Sequence, residues 1–295
     1  MAAMLTGILV GAAMVAIRHV AQDIGPGSQA FLRYSIAYLC VLPFLLRAKD
    51  VHIARKDMIA VTMIGVVQFA VVVVLLNFGL KYMSAARAAL IFASFPLLTM
   101  LVGVSMKREQ FTRAKAIGVG LTILGVGLTI GEGLSANAGE NELLGAFAVL
   151  AAALCGAICS VLYRPYLSRS STLAIGSLSM AASIGVLLLL AIGEGLFAGF
   201  NSIIAKTWES VLFIGVSSAI GYMAWLWALR HTDPTQVSIF LSLSPVTATF
   251  LGYLLLGETV SISTAIGIVT IIIGLWVATR TAKPSLGKLN ANPAE

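Results

Sequence analysis

Ten long apolar runs dominate the sequence and constrain what the chain can fold into. They predict helices near residues 3–20, 28–46, 58–80, 86–106, 114–131, 143–163, 172–193, 210–229, 235–256 and 263–280. A bilayer core about 30 Å thick requires about 20 apolar residues per helix, which is the length of these runs. Membrane-spanning strands are excluded because the runs do not alternate in polarity. The predicted fold class is therefore all-α, a polytopic membrane protein of ten transmembrane helices.

The composition excludes a soluble globular protein. Hydrophobic residues make up 59% of the chain and charged residues 11%, against about 45–50% and about 25% in soluble domains. The net charge of +7 comes from small basic groups between apolar runs rather than from one stripe, so no nucleic-acid partner is expected. The three cysteines lie within apolar runs and show no metal-ligand spacing, so we expect no disulfide, metal or cofactor.

The distribution of basic residues predicts the orientation in the membrane. With both termini in the cytoplasm, most of the 19 lysines and arginines fall on the cytoplasmic side. Only Arg18, Lys81, Arg87 and Lys206 fall outside, and Arg33 lies within the second helix. This asymmetry agrees with the positive-inside rule.

An internal repeat divides the chain into two halves. A shift of 149 residues places Pro96 on Pro245 and Glu109 on Glu258, and it also aligns several glycines without a gap. The predicted organisation is a first five-helix repeat at 1–131, an outer linker at 132–142, a second repeat at 143–283 and a disordered cytoplasmic tail at 284–295. Because five is an odd number, the two repeats enter the membrane from opposite sides and are inverted. Inverted repeats are typical of carriers that expose a midplane site alternately to the two sides.

Several short motifs resemble those of a known family. The sequence GAAMVAIR at 11–18 and Arg33-Tyr34 in the second helix resemble the opening of EamA-type drug/metabolite transporters, although Val10 stands where that family usually has tryptophan. Pro96 with Glu109, and Pro245 with the Leu-Gly-Glu sequence at 256–258, resemble its closing segment in each half. The resemblance implies ten helices, with helices 1–4 and 6–9 around a central cavity and helices 5 and 10 at the periphery. Within the superfamily, the chain looks most similar to bacterial amino-acid exporters, including those for aromatic amino acids.

Arg33 is the strongest candidate for a binding residue. It lies in an otherwise apolar helix, where a charge costs about 2.5–3.5 kcal/mol or more on insertion scales. Snorkelling to the interface is one explanation. The other, supported by the match to the family's helix-2 arginine, is that Arg33 holds a substrate carboxylate or a gate.

The remaining candidates are polar or aromatic side chains within predicted helices. The polar ones could bind substrate or form hydrogen bonds between helices, and the rings could line a cavity, pack in the core or, near helix ends, form an interfacial belt. The belt is favoured for Tyr163, Trp225 and Trp227. Pro96 and Pro245 are predicted hinges. The full set of candidate substrate-binding residues is Arg33, Tyr38, Gln68, Asn77, Ser94, Phe95, Tyr163, Tyr222, Phe240, Ser242 and Ser244.

The predicted function is export of small organic metabolites across the bacterial inner membrane by alternating access. Amino acids, aromatic or neutral, are the favoured substrates because Arg33 suits an anionic group, and the alternative is transport of drugs, weak acids or nucleotide sugars. All twelve acidic residues fall in or next to predicted loops, so no buried carboxylate is expected and facilitated transport or exchange is favoured over proton coupling. An enzyme is not expected because no nucleophile, base or metal set assembles. The peripheral helices could form a homodimer face.

Overall fold

Helices form nearly all of the part of the chain that the structure describes. The computed structural model describes residues 2–48, 52–108, 141–198 and 200–280, with isolated positions 117, 120, 121 and 124. In these ranges every regular element is a helix. Apart from those four positions, the predicted helix at 114–131 lies outside the described residues, as do most of the linker and the tail at 284–295.

The helix bounds follow the apolar runs closely. The helices are α1 (Ala2–Val20), α2 (Pro26–Arg47), α3 (Arg55–Tyr82), α4 (Ala85–Ser105), α5 (Glu142–Leu167), α6 (Thr172–Gly193), α7 (Phe200–His231), α8 (Pro234–Leu256) and α9 (Ile262–Arg280). Eight of these nine described helices contain a stretch long and apolar enough to cross a membrane. Large apolar side chains such as Ile59 and Leu189 are 77% and 70% exposed on the outside of the bundle, where lipid would cover them. The prediction of an all-helical fold is confirmed for the described residues.

Two helices are interrupted at the repeated prolines. In α4 the helical segments Ala85–Phe92 and Phe95–Ser105 are separated at Ala93 and Ser94. In α8 a 3-10 segment, Phe240–Leu243, separates Pro234–Ile239 from Ser244–Leu256. Pro96 and Pro245 each lie in the first turn of the segment after the break, because proline lacks the N–H that a helix interior requires and clashes with the preceding turn.

A third irregularity lies inside α3. Residues Val67–Val71 form a π turn between the regular segments Arg55–Val66 and Val72–Tyr82. A π turn inserts an extra residue into the helix and displaces the side chains around it. Gln68 lies in this turn, so the direction of its side chain depends on the π geometry.

Close helix packing brings α1 against two helices of the second half of the chain. It packs against α7 on one side and against α8 at the 3-10 segment on the other. Gly7 and Gly11 make the second contact possible, because a Cβ on Gly7 would overlap the Phe240 carbonyl oxygen and one on Gly11 would lie 2.6 Å from the Ser244 carbonyl oxygen. On the other side of the bundle α5 packs against α3 and α4, and α2 packs against α6 and α7.

Candidate substrate cavity

A cavity of about 90 Å³ lies between α1, α2, α3, α4, α7 and α8. Its apolar wall includes Leu9, Val10 and Ala13 of α1 and Val72 and Leu76 of α3. These residues are within helices that the apolar runs predicted, so the cavity lies inside the bundle rather than on a loop. Its polar groups come from four helices and are few, as is typical of a small-molecule site.

Among the described residues, Arg33 contributes the only charged side chain to the lining of this cavity. Its Nε atom is shielded from solvent and has no hydrogen-bond partner, and within the described part of the chain no carboxylate forms an ion pair with its guanidinium. The guanidinium carbon lies 5.4 Å from the centre of the Tyr34 ring, within the range of a cation–π contact. The site therefore holds a cation that the described protein groups do not neutralise, which suits an anionic group of a ligand.

Three hydroxyl groups in the wall already donate hydrogen bonds to backbone carbonyl oxygens. Thr6 Oγ1 lies 3.1 Å from both the Ala2 and the Gly221 carbonyl oxygens. Ser217 and Ser218 both donate to the carbonyl oxygen of Ile214. Because each hydroxyl has only one proton, none of the three remains free to donate to an anion.

Gln68 brings an amide into the cavity from the π turn of α3. Its Oε1 atom is shielded from solvent and has no donor among the described residues. A buried acceptor without a donor costs free energy that a bound group could recover.

Aromatic rings form two groups at the cavity, and all of them except the fully buried Phe69 belong to its lining. Tyr34 and Phe69 are 4.7 Å apart in a T-shaped contact, and Phe69 is 4.2 Å from Tyr222. The second group joins Phe95 to Phe92 at 5.4 Å and to Trp225 at 5.9 Å. Ring faces and edges of this kind favour contact with an apolar or aromatic part of a ligand.

The structure brings together four of the eleven candidate residues at this cavity, namely Arg33, Gln68, Phe95 and Tyr222. Tyr38 instead lines a second cavity of about 380 Å³ between the end of α2, the start of α3 and α6, together with His52 and Ser177.

The other candidates lie in helix contacts. Asn77 Nδ2 donates to the Pro26 carbonyl oxygen at 3.1 Å, and the fully buried Tyr163 donates to Ser179 Oγ at 2.9 Å. Four lie at the breaks that precede the prolines and outside the lining of the cavity: Ser94, Phe240, Ser242 and Ser244.

Sequence analysis missed several lining residues. Thr6, Ser217 and Ser218 line the cavity. Small hydroxyl residues also stabilise ordinary contacts between membrane helices, so the residue type alone did not indicate a binding site. Tyr163 and Trp225 were assigned to an interfacial belt, but they are 0% and 4% exposed, so that interpretation is wrong for both. Trp225 instead lines the cavity. Trp227, at 53% exposed, remains available to lipid.

Polar contacts join the helices at the end of the bundle where α1 finishes, which we call the Arg18 end. Arg18 Nη1 donates to the carbonyl oxygens of Leu80 and Lys81 at 2.9 and 2.8 Å. At the same end the Ala85 N–H donates to Glu258 Oε1 at 3.0 Å, and Arg87 forms an ion pair with Glu142.

Glu194 closes another contact at the Arg18 end. It follows α6 and accepts from the backbone N–H groups of Gly27 and Ser28 at 2.9 and 2.7 Å and from Ser28 Oγ at 2.7 Å. These donors belong to the first turn of α2, whose own N-cap residue, Gly25, has no side chain to satisfy them. Glu194 therefore serves as an N-cap supplied by another helix.

The opposite end, which we call the Arg164 end, has the larger cavity and two ion pairs among the described residues. Arg164 forms an ion pair with Asp233, and Arg169 Nη2 lies 3.8 Å from Asp57 Oδ2. Asp57, in the first turn of α3, is only 7% exposed. The expectation that no carboxylate is buried is therefore wrong for Asp57, because the ends of the neighbouring helices cover it. It does not line the cavity that contains Arg33.

An apolar helical bundle with a cavity of this chemistry is a multi-pass membrane protein with a small-molecule site. The sequence profile of the EamA-like transporter family matches residues 1–131 and 143–280, and the chain belongs to this family. The resemblance inferred from the motifs is confirmed, and the chain is a transporter rather than an enzyme.

Individual relatives agree with this assignment. An uncharacterized transporter of Archaeoglobus fulgidus is 26% identical over 272 residues, covering 92% of this chain and 94% of the relative. The uncharacterized transporter YyaM of Bacillus subtilis is 23% identical, with coverage of 92% and 90%. A probable terminal-alkyne amino-acid exporter of Streptantibioticus cattleyicolor is 26% identical over 204 residues, covering 69% of this chain and 67% of the relative. A solved crystal structure shares the fold with a TM-score of 0.67 at 17% identity, covering 94% of this chain and 96% of the other.

Proposed function

We propose that the protein exports amino acids, aromatic or neutral, from the cytoplasm through the cavity that contains Arg33. The observation that carries the proposal is the unneutralised guanidinium of Arg33 beside two groups of aromatic rings. A carboxylate would pair with the guanidinium, and an apolar side chain would contact the rings. The amino-acid exporter among the relatives supports this substrate class.

The proposed architecture is ten transmembrane helices in two inverted repeats. The helix contacts support it, because they occur in matching pairs when α1–α4 are equated with α5–α8. The contact of α1 with α7 matches that of α5 with α3, and the contact of α2 with α7 matches that of α6 with α3. The two separate matches to one family profile support the same division.

The transport mechanism we propose is alternating access. A ligand pocket commonly has about 300–1,000 Å³, so a cavity of about 90 Å³ must widen before it admits an amino acid. Contacts of Glu194 and Glu258 with the first half hold the Arg18 end together, whereas the larger second cavity lies at the Arg164 end. Rocking of one half against the other, with bending at Pro96 and Pro245, would open each end in turn.

The placement of charged residues supports a proposed orientation of the protein in the membrane and a proposed form of energy coupling. The proposed location is the bacterial inner membrane, with both termini in the cytoplasm and the Arg18 end outside. The described residues that line the Arg33 cavity include no carboxylate or histidine, which supports facilitated transport or exchange. Export of drugs, weak acids or nucleotide sugars is the alternative, and a homodimer through the peripheral helices stays a prediction.

Counterflow in proteoliposomes tests the proposal. Vesicles are loaded with one unlabelled amino acid, and uptake of the same labelled amino acid is followed without a pH gradient. We expect transient tracer accumulation with phenylalanine or leucine. A hydrogen bond to a charged group contributes about 1.5–3 kcal/mol, so Arg33→Gln should weaken apparent affinity about 10- to 150-fold.

Arg47→Gln is the matched control, because Arg47 is an exposed arginine in the last turn of the same helix. Absence of counterflow with every amino acid, in vesicles that contain folded protein, would refute the amino-acid assignment and lead to a screen of weak acids. Flux that requires an imposed pH gradient would refute facilitated transport and exchange.

A further inference from the structure

Two side chains bring unpaired polar atoms of opposite kind to one cavity. Arg33 has a shielded donor, Nε, and Gln68 has a shielded acceptor, Oε1, and neither atom has a hydrogen-bond partner in the part of the chain that the structure describes. The wall hydroxyls of Thr6, Ser217 and Ser218 have donated to backbone carbonyl oxygens and do not reach either atom in the described hydrogen bonds. The Tyr222 hydroxyl can donate or accept, so it does not select for charge.

Two other amides, those of Gln29 and Asn77, also have a shielded oxygen without a hydrogen-bond partner among the described residues, but they differ from Gln68 in position and in what their nitrogen atoms bind. Gln29 Nε2 donates to the Ile24 carbonyl oxygen and Asn77 Nδ2 donates to the Pro26 carbonyl oxygen, both at 3.1 Å. These amides are fixed by the backbone and lie outside the cavity lining. Among the described residues, Gln68 has no such backbone bond to explain its placement. The π turn instead orients its amide toward the cavity, and π turns occur frequently at functional sites.

We propose that Gln68 is a specificity-determining residue that accepts a hydrogen bond from the ammonium group of the substrate while Arg33 binds its carboxylate. The inference rests on the proposed function and narrows it, because it predicts selection for a zwitterionic α-amino acid. A carboxylic acid without the amino group would leave the Gln68 acceptor unpaired. An amine without the carboxylate would place a cation beside Arg33 and be rejected by charge repulsion. A site whose buried polar group is left unpaired by an analogue rejects that analogue strongly in favour of the full substrate.

Competition in the counterflow assay tests this inference. Labelled phenylalanine is the tracer, and the external competitors are phenylalanine, 3-phenylpropanoate and phenethylamine. Leucine and 4-methylpentanoate form a second pair. In the unchanged protein, phenylalanine should inhibit at a concentration at least about tenfold lower than either analogue, as expected for one hydrogen bond to a charged group.

The Gln68→Met variant removes the acceptor and retains the length of the side chain. We expect the preference for phenylalanine over 3-phenylpropanoate to fall about tenfold, with inhibition by 3-phenylpropanoate itself changed less than about twofold. Gln68→Glu keeps an acceptor and should retain the preference, while its negative charge beside Arg33 should weaken the binding of phenylalanine and 3-phenylpropanoate alike. Gln29→Met is the matched control, because Gln29 is a buried glutamine outside the cavity, and this variant should also retain the preference.

The outcomes separate this inference from the proposed function. Counterflow of amino acids with an unchanged preference in Gln68→Met would overturn the role of Gln68 alone. Loss of the preference in Gln29→Met to the same degree would also overturn it, since the effect would then follow from any buried amide. Absence of amino-acid counterflow in the unchanged protein would overturn the proposed function and this inference together.

Discussion

Removal of the Glu194 carboxylate should open the Arg18 end more often. This carboxylate accepts three hydrogen bonds from Gly27 and Ser28, at 2.7 to 2.9 Å, and joins α6 of the second half to α2 of the first. The Glu194 carboxylate fits here because residues 25 and 27 are glycines; a Cβ at Gly25 would overlap the carboxylate. The contact exists only while the two helix ends remain together, so it stabilises the state closed at this end.

The size of the effect follows from the exposure of the group. Glu194 is exposed to solvent, so its contribution resembles that of an ordinary N-cap, about 0.5–2 kcal/mol, rather than that of a buried ion pair. That free energy corresponds to about a 2- to 30-fold change in an equilibrium constant. Glu194→Ala should therefore raise the population open at the Arg18 end by about this factor.

Cysteine labelling from outside intact cells measures this population. Ala13 is 4% exposed and lines the cavity, so Ala13→Cys reports when a membrane-impermeant maleimide can enter. The variant is made in a chain whose three native cysteines, Cys40, Cys155 and Cys159, are replaced by serine or alanine. Glu194→Ala should increase the labelling rate about 2- to 30-fold.

Glu209→Ala is the control, since Glu209 is an exposed carboxylate on α7, and among the described residues the hydrogen bonds to the first turn of α2 come from Glu194 and Asn77 instead. It should not change the rate. An unchanged rate in Glu194→Ala, or an equal rise in Glu209→Ala, would refute the assignment of Glu194 as a contact that closes this end.

Two further predictions concern helix packing. Gly7→Ala should lower the thermal unfolding temperature in detergent by several degrees, because the added Cβ would overlap the Phe240 carbonyl oxygen, whereas Gly185→Ala should not, because nothing lies within 4 Å of that position. Equal loss in both variants would contradict the α1–α8 contact. Tyr163→Phe should cost about 0.5–1.5 kcal/mol of stability by removing its hydrogen bond to Ser179, but leave amino-acid selectivity unchanged. A changed selectivity would show that Tyr163 contacts the substrate.

Hydropathy was sufficient to predict the described helices, because each one must satisfy its own backbone in lipid. The predicted segment 172–193 coincides with α6, and 235–256 begins one residue inside α8. The irregular turns were harder to predict. Pro96 and Pro245 signalled the two breaks, but the π turn at Val67–Val71 contains no proline and depends on packing by other helices.

The residues that line the cavity could be predicted only in part, because their positions also depend on packing between helices. Arg33 and Gln68 were evident because a charge or an amide within an apolar run requires an explanation. Phe95 and Trp225 both line the cavity, but a ring in a membrane helix is equally compatible with core packing or an interfacial belt. Which ring faces the interior depends on helix rotation and on the breaks, and these follow from contacts between segments far apart in the sequence.

Equilibrium binding of labelled phenylalanine to the purified protein tests the central claim most directly, since it needs no assumption about orientation or energy coupling. A scintillation proximity assay would compare the unchanged protein with Arg33→Lys, Arg33→Gln and Arg47→Gln. The account predicts a Kd raised about 10- to 150-fold in Arg33→Gln, a smaller rise in Arg33→Lys, which keeps the charge but loses the bidentate geometry, and no change in Arg47→Gln. An unaltered Kd in Arg33→Gln would contradict the claim that this guanidinium binds the substrate carboxylate.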